Sequence, residues 1–160
     1  MRFGLHYTYL YISFMPVTQK TTHSSKELAA FARSYAKNHL RDTRLVIFSG
    51  PLGAGKTTFV QGVAAGLGIH SGVSSPTFAL IQEHSIPKTK RVLVHVDLYR
   101  IKKKRDLDPL HLIDYLTNPN MLVCVEWANR FPRFWNTFPH THINIALGKN
   151  NSRRILLRHK

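Results

Sequence analysis

The sequence predicts an α/β fold in which a mixed, mostly parallel sheet is flanked by helices and carries antiparallel hairpins. Three observations point to this class. A short apolar run, Leu45 to Phe48, precedes a glycine-rich loop and a helical stretch. A second apolar run, Met121 to Val125, is typical of a strand that is buried on both faces. Two further pairs of strand-like runs are separated by short polar turns, which is the pattern of β-hairpins.

Length and composition bound the class of protein. A chain of 160 residues, 43% of them apolar, is one domain of ordinary size with a single core. No apolar run reaches the roughly 20 residues that a membrane-spanning helix needs. Residues 3–14 are too polar for the apolar segment of a secretory signal. A lone cysteine, Cys124, fits a reducing compartment, so we expect a cytoplasmic protein that does not bind a membrane.

The charge balance is strongly positive. There are 23 Lys and Arg residues against 8 Asp and Glu residues, which gives a net charge of +15. Such an excess favours a polyanionic partner, with RNA first and an acidic protein second. A generally basic surface without a specific ligand predicts the same composition, so composition alone does not separate these alternatives.

Residues 1–23 are interpreted as an N-terminal extension or an edge strand. Pro16 would confine a strand over residues 14–18 to the edge of a sheet, because proline cannot donate to a strand ladder. The alternative is that residues 1–13 lie upstream of a true start at Met15. Residues 24–160 are predicted to form one domain.

The elements of that domain follow from capping signals and from the period of the apolar residues. Ser24 and Glu27 match a capping box at the start of a helix. The predicted elements are a helix from Ser25 to His39, a strand from Leu45 to Phe48, a helix from Thr58 to Leu67, strands from Phe78 to Glu83 and from Arg91 to Leu98, a helix from Asp108 to Leu116, a strand from Met121 to Val125, and strands from His142 to Leu147 and from Arg153 to Leu157.

The loop after the first core strand carries the clearest chemical signal. Its sequence, Gly50-Pro51-Leu52-Gly53-Ala54-Gly55-Lys56-Thr57, fits the pattern G-x-x-x-x-G-K-[ST] of a phosphate-binding loop, or P-loop. The glycines let backbone N–H groups approach phosphate oxygens, and the helix N-terminus adds further donors. In this reading Lys56 binds the β- and γ-phosphates, and the Thr57 hydroxyl joins the shell of a Mg²⁺ ion. The fold class is therefore P-loop NTPase-like.

Acidic residues stand at the ends of two predicted strands. Glu126 follows the apolar run that ends at Val125, and Asp97 lies at the end of the strand that precedes it. The carboxyl ends of such strands lie beside the phosphate loop, so Glu126 is the candidate Mg²⁺ ligand. Asp97 is the candidate for orienting water or completing the metal shell. The alternative for both is a polar residue that caps the next turn.

Other polar and aromatic residues are assigned on weaker patterns. Thr77 lies in the loop before a strand, where switch segments contact the γ-phosphate, although a Pro-Thr turn without function is an equal alternative. Trp127 is next to Glu126 and therefore near the nucleotide. His140 and His142 are expected to be surface histidines, and Cys124 is expected to be inert core.

Four segments together resemble one family, the TsaE (YjeE-type) ATPases. The segments are Gly50 to Phe59, Ser75 to Phe78, His95 to Arg100, and Glu126-Trp127, in the order and spacing of that family over about Ser24 to Arg154. The chain departs from the family in a basic run, Lys102 to Arg105, where the family usually turns acidic. It also has Pro51 in the loop and Ala128 after Glu126-Trp127 where aspartate and proline are usual.

The resemblance implies a function and a set of site residues. It implies a bacterial ATPase that is needed for the threonylcarbamoyl modification of adenosine in tRNAs reading ANN codons and that acts as a switch on a TsaD/TsaB complex. ATP and Mg²⁺ would be the cofactors. Carried over by position, the nucleotide-binding residues are Gly53, Ala54, Gly55, Lys56, Thr57, Thr58 and Trp127, the metal ligands are Thr57 and Glu126, and the hydrolytic residues are Asp97, Glu126 and Thr77.

Two other functions stay open at this point. A small-molecule kinase would use the same loop with Arg130 or Arg133 as a lid residue. A basic RNA-binding module would hold nucleotide only for structure. Through the basic surface, tRNA is a candidate partner of the chain. A GTPase is disfavoured, because the sequence has neither N-K-x-D nor D-x-x-G.

Overall fold

The computed structural model describes residues 17–70 and 72–160 as one seven-stranded sheet with helices on both faces. The interpretation of residues 1–23 as an extension or an edge strand falls for its first sixteen residues outside the described residues, as does the place of Ser71. The strands are β1 (Thr18–Thr22), β2 (Leu45–Ser49), β3 (Ile81–Ser85), β4 (Val92–Asp97), β5 (Met121–Glu126), β6 (Thr141–Leu147) and β7 (Arg153–His159). The α-helices are α1 (Ser25–His39), α2 (Lys56–Gly66), α3 (Leu112–Thr117) and α4 (Pro132–Trp135).

The strand order is β1-β7-β6-β2-β5-β4-β3. The central strands β6, β2, β5 and β4 are mutually parallel, whereas β1, β7 and β3 join the sheet antiparallel. This arrangement confirms the predicted fold class, with a parallel core and antiparallel hairpins β3–β4 and β6–β7. The parallel strands direct their carboxyl ends to one edge of the sheet, which is the edge that carries the loop after β2.

The core forms two layers because alternate residues of the central strands point to opposite faces. Val46 and Phe48 pack with α1 and α2, and Cys124 lies in the same layer with no exposed surface. Leu45 and Ile47 pack on the other face against the segments between residues 98 and 138. Both faces of β2 are buried, which explains why its sequence is a continuous apolar run rather than an alternating one.

Close packing of α1 on α2 holds the helix that follows the glycine-rich loop. A Cβ atom at Gly62 would lie 2.6 Å from the Cβ of Ala32, and one at Gly66 would lie 2.9 Å from the Cβ of Ala36. Small residues at these positions therefore let the two helices approach. The start of α1 is fixed as predicted, since the Ser24 hydroxyl accepts a hydrogen bond from Glu27 N at 3.1 Å.

One predicted helix start was wrong. Asp108-Pro109 does not begin a helix, because Pro109 lies inside a 3₁₀ helix that spans Lys104–Leu110. The backbone of His111 then adopts a left-handed conformation with φ of 48°, and α3 begins only at Leu112. The side chain of Asp106 accepts from Lys103 N at 3.2 Å, and the helix starts at Lys104, five residues before its proline. The first hairpin strand is also shorter than predicted, since residues 77–80 form a turn before β3.

Within the described ranges, no helix is long and apolar enough to cross a membrane.

Candidate functional site

The glycine-rich loop joins β2 to α2 at the carboxyl edge of the parallel strands. Gly53 and Gly55 adopt positive φ angles of 77° and 104°, which glycine tolerates without strain. Gly55 directly precedes α2, so the N–H groups of the first helical turn lack partners within the helix and are available to an anion. The loop thus has the backbone form that phosphate binding needs.

Lys56 points back into the loop that carries it. Its Nζ atom donates hydrogen bonds to the carbonyl oxygens of Gly50 at 3.0 Å and Pro51 at 2.9 Å. The ammonium group also lies 3.8 Å from the centre of the Trp127 ring, a cation–π contact. Burial lowers the pKa of Lys56, and the nearby carboxylates of Glu126 and Asp97 partly oppose that shift.

Glu126 ends β5 and is almost completely buried. Its Oε1 atom accepts a hydrogen bond from the Thr57 hydroxyl at 2.8 Å and lies 2.8 Å from His95 Nε2. His95 has no exposed surface, and its Nδ1 atom has no partner among the described residues. The buried His95 and the half-buried Thr57 therefore hold one oxygen of the carboxylate in place.

Asp97 ends β4 beside Glu126, because the two residues are paired in the parallel β4–β5 register. Its Oδ2 atom accepts hydrogen bonds from the hydroxyls of Ser75 and Thr77, each at 2.7 Å, and its Oδ1 atom accepts from Tyr99 N at 2.9 Å. Asp97 thereby fixes the loop before β3 to the end of the parallel core.

These side chains line one cleft of about 370 Å³. The cleft is bordered by Leu52, Gly53, Gly55, Lys56, Thr57, Thr58, Ser75, Thr77, Asp97, Tyr99, Glu126 and Trp127. All of the predicted site residues lie in its lining except Ala54, which is buried and whose N–H donates to Pro51 O at 3.3 Å. The roles assigned to the individual residues remain predictions.

Sequence reasoning missed three residues of this constellation: Ser75, His95 and Tyr99. His95 precedes Asp97 by two positions, so strand alternation already placed both on one face of β4. Ser75 stands two residues before Thr77 in a polar loop, and nothing in its spacing distinguished it.

The expectation of a surface position was wrong for His140, whereas His142 is partly exposed. His140 is 5% exposed, and its Nδ1 atom lies 2.8 Å from Phe138 O. His142 Nε2 lies 2.8 Å from the hydroxyl of Ser49, the last residue of β2 before the loop. Burial lowers the pKa of His142, with smaller contributions from His140, Lys160 and Arg158. His142 therefore contacts the strand that carries the loop while remaining partly exposed.

The donor set fits a magnesium ion that is also bound by phosphate oxygens and water. The Thr57 hydroxyl and the Glu126 carboxylate are hard oxygen ligands 2.8 Å apart. No group of three His, Cys, Asp or Glu side chains suited to a metal occurs in residues 17–70 or 72–160.

Comparisons with known proteins identify a family for this chain. A family model described as threonylcarbamoyl adenosine biosynthesis protein TsaE matches residues 22–156. The tRNA threonylcarbamoyladenosine biosynthesis protein TsaE of Haemophilus influenzae is 34% identical over 100 residues, which are 62% of this chain and 61% of that protein. The protein of the same name from a Nostoc species is 38% identical over 115 residues, which are 69% of this chain and 67% of that protein.

A solved structure shares the fold. The crystal structure of Bacillus subtilis YdiB superposes with a TM-score of 0.72 at 27% sequence identity and covers 91% of this chain and 86% of that one.

Proposed function

The chain belongs to the TsaE family, and from that premise we propose that it binds and hydrolyses ATP with Mg²⁺ to drive threonylcarbamoyladenosine formation in tRNAs reading ANN codons. In this proposal nucleotide turnover acts as a switch on a partner complex of TsaD-like and TsaB-like proteins. The observation that carries the proposal is the convergence of Lys56, Thr57, Asp97 and Glu126 in one cleft. The TsaE proteins that the chain resembles are named for threonylcarbamoyladenosine biosynthesis.

Lys56 is the residue that would sense the triphosphate. Its ammonium group is bonded to the Gly50 and Pro51 carbonyl oxygens and would exchange these contacts for phosphate oxygens. Because burial disfavours its charged form, an incoming phosphate stabilises the ammonium by restoring a close opposite charge. Trp127 limits the movement of this side chain through its ring contact.

Thr57 and Glu126 would hold the metal ion. When bound, Mg²⁺ neutralises charge that develops on the β- and γ-phosphate oxygens. His95 holds Oε1 of Glu126, and Oε2 has no hydrogen-bond partner among the described residues. The carboxylate therefore keeps a fixed orientation with one free oxygen.

Asp97, Ser75 and Thr77 would form the switch. The two hydroxyls both donate to the same carboxylate oxygen, so the loop before β3 is tied to the end of β4. If either hydroxyl turned to the γ-phosphate or to the attacking water, this tie would loosen. The loop would then report the state of the nucleotide to a partner.

The decisive experiment is replacement of Lys56 by alanine. We expect Lys56→Ala to abolish threonylcarbamoyladenosine in cellular tRNA, measured by mass spectrometry of nucleosides. Lys37→Ala, at an exposed lysine of α1, is the matched control and should leave the modification unchanged. Intact modification in Lys56→Ala would refute the ATP-driven role and favour a module that holds nucleotide only for structure.

A kinase acting on a small molecule remains the alternative enzyme. Arg130 supports it, since its guanidinium lies 5.5 Å from the ring centre of Trp127 at the cleft. Turnover of ATP that rises with TsaD-like and TsaB-like proteins, without any acceptor hydroxyl, supports the switch. Turnover that requires a small-molecule acceptor supports the kinase.

A further inference from the structure

Seven exposed cations lie in the segments that follow β4 and β5, the two strands whose ends border the nucleotide cleft. The basic rim is defined as Arg100, Lys102, Lys103, Lys104, Arg105, Arg130 and Arg133, all of which are exposed. It combines the run after β4 with the segment after β5. Because these strands are neighbours in the sheet, two separate stretches of sequence meet on one surface.

A concavity of about 480 Å³ marks where the two stretches meet. Its lining includes Lys104, Arg130, Arg133 and Phe134 and contains no carboxylate. In the described ranges, the only Lys or Arg within ion-pair distance of a carboxylate is Arg105, whose Nε lies 3.9 Å from Asp106 Oδ1. The other cations of the basic rim are therefore not neutralised by the protein itself.

Aromatic rings continue this surface toward the cleft. Phe78 is 88% exposed and Tyr99 is 41% exposed. The guanidinium of Arg100 lies 5.4 Å from the centre of the Phe78 ring, and that of Arg130 lies 5.5 Å from the Tyr99 ring. Exposed aromatic rings next to unpaired cations are the combination that binds single-stranded nucleic acid, through stacked bases and phosphate contacts.

Arg130 connects the basic rim to the nucleotide cleft. Its Nη1 atom donates to Ile101 O at 2.9 Å, which fixes the side chain against the segment after β4. The same guanidinium contacts Trp127, which in turn contacts Lys56. A ligand on the basic rim would thus lie within two side-chain contacts of the phosphate-binding lysine.

We propose that the basic rim binds the phosphate backbone of the single-stranded anticodon loop of tRNA, with Phe78 and Tyr99 as stacking surfaces for its bases. RNA is favoured over an acidic protein because the surface pairs many unneutralised cations with isolated exposed rings rather than with a continuous apolar patch. The identity of the RNA rests on the proposed function, in which tRNA is the substrate. The surface itself rests on the contacts described above.

The test measures binding of a fluorescein-labelled anticodon stem-loop transcript to the full chain by anisotropy, between 50 and 200 mM salt. Lys104→Gln/Arg133→Gln removes two cations that do not line the nucleotide cleft. We expect affinity at low salt to fall about tenfold, and the slope of log K against log salt to decrease by about 1.4, since each contact in single strands contributes roughly 0.7. Arg33→Gln/Lys37→Gln on α1 removes the same charge from the opposite face of the sheet and should change both quantities much less.

Three outcomes would overturn the proposal. Equal losses in the two double variants would mean that binding follows net charge alone. Absence of salt-dependent RNA binding by the unaltered chain would exclude an RNA surface. Retained RNA binding in Lys104→Gln/Arg133→Gln, with lost binding to TsaD-like and TsaB-like proteins, would make the basic rim a protein-docking surface. ATP affinity measured on the same variants tests the nucleotide site separately. A failure of the RNA-binding proposal would therefore leave the conclusion of the Lys56→Ala experiment unaffected.

Discussion

The Thr57 hydroxyl donates a 2.8 Å hydrogen bond to Oε1 of Glu126, which joins the first turn of α2 to the carboxyl end of β5. The two residues are far apart in sequence and meet only because β2 and β5 are adjacent parallel strands. This contact brings the hydroxyl and the carboxylate together at the carboxyl edge of the sheet. The proposed metal site therefore depends on the pairing of these strands.

Replacement of Glu126 by glutamine should separate metal-dependent turnover from nucleotide binding. Glu126→Gln keeps the shape of the side chain but removes its charge, so we expect ATP turnover to fall about 100-fold, comparable to loss of one preorganised electrostatic group. Binding of ATP without Mg²⁺ should persist, and the gain in affinity on adding Mg²⁺ should shrink. Glu83→Gln, on the exposed side of β3, is the matched control. Undiminished Mg²⁺ dependence in Glu126→Gln would remove this residue from the metal site.

Replacement of Thr77 by valine should uncouple the loop before β3 from Asp97. Thr77→Val keeps the branched shape but loses the 2.7 Å hydrogen bond to Asp97 Oδ2. Because Ser75 still donates to the same oxygen, the free energy of unfolding should fall by only about 1 kcal/mol. Turnover in the presence of partner proteins should fall far more than stability. Thr43→Val, which removes a hydroxyl at the far end of β2, provides the comparison, and a similar loss of turnover there would contradict the switch role.

Replacement of Gly50 by alanine should destabilise the fold at the start of the loop. Gly50 has a φ of 140°, and a Cβ atom there would overlap the carbonyl oxygen of Ile145 on β6. We expect Gly50→Ala to lower the free energy of unfolding by about 1–3 kcal/mol, measured by urea denaturation. Gly72→Ala, at a φ of 79° with no neighbour within 4 Å, carries backbone strain alone and should lower it less. Equal effects would show that β6 does not constrain the loop.

Protonation of His142 should reduce stability in mild acid. Burial lowers its folded-state pKa below the ordinary value of 6.5, so the unfolded chain binds the proton first as the pH falls. The contribution to stability is present above pH 6.5 and is lost as the pH drops toward the folded-state pKa. His142→Gln should flatten the decline in the free energy of unfolding below pH 6.5 relative to the unaltered chain. If the free energy of unfolding of His142→Gln declines just as steeply, the decline belongs to other histidines. His84 is one of these, since burial also lowers its pKa.

The sequence predicted those helices, strands and loops that are specified by residues close together in the chain. Apolar residues and the P-loop pattern located β2 and the loop, and the pairing of Ser24 with Glu27 located the start of α1. Asp97 and Glu126 could be placed at one edge because each follows an apolar run, and parallel strands end together. These inferences did not require the strand order. They used only the general rule that the carboxyl ends of parallel strands in an α/β sheet lie at one edge, where ligands bind.

The contacts among those residues could not be predicted, because they depend on register and side-chain direction. The bond between His95 and Glu126 requires β4 and β5 to pair in one register among several. Pro109 misled the helix prediction because a proline that suits the first turn of an α-helix also fits a 3₁₀ segment fixed by Asp106. The contact between His142 and Ser49 was not predicted, because Ser49 lies on a strand distant in sequence.

The order of strands also determines when during synthesis the site can exist. β2 lies between β5 and β6, so both of its neighbours leave the ribosome long after the glycine-rich loop does. Contacts between segments so distant in sequence form slowly and late in folding. A nascent chain that ends before Thr141 would carry the complete loop sequence but lack the strand on which Gly50 packs. Capture of such ribosome-bound chains on immobilised nucleotide would therefore show when β6 has joined the sheet. As the nascent chain is lengthened, we expect capture to begin when β6 emerges from the ribosome.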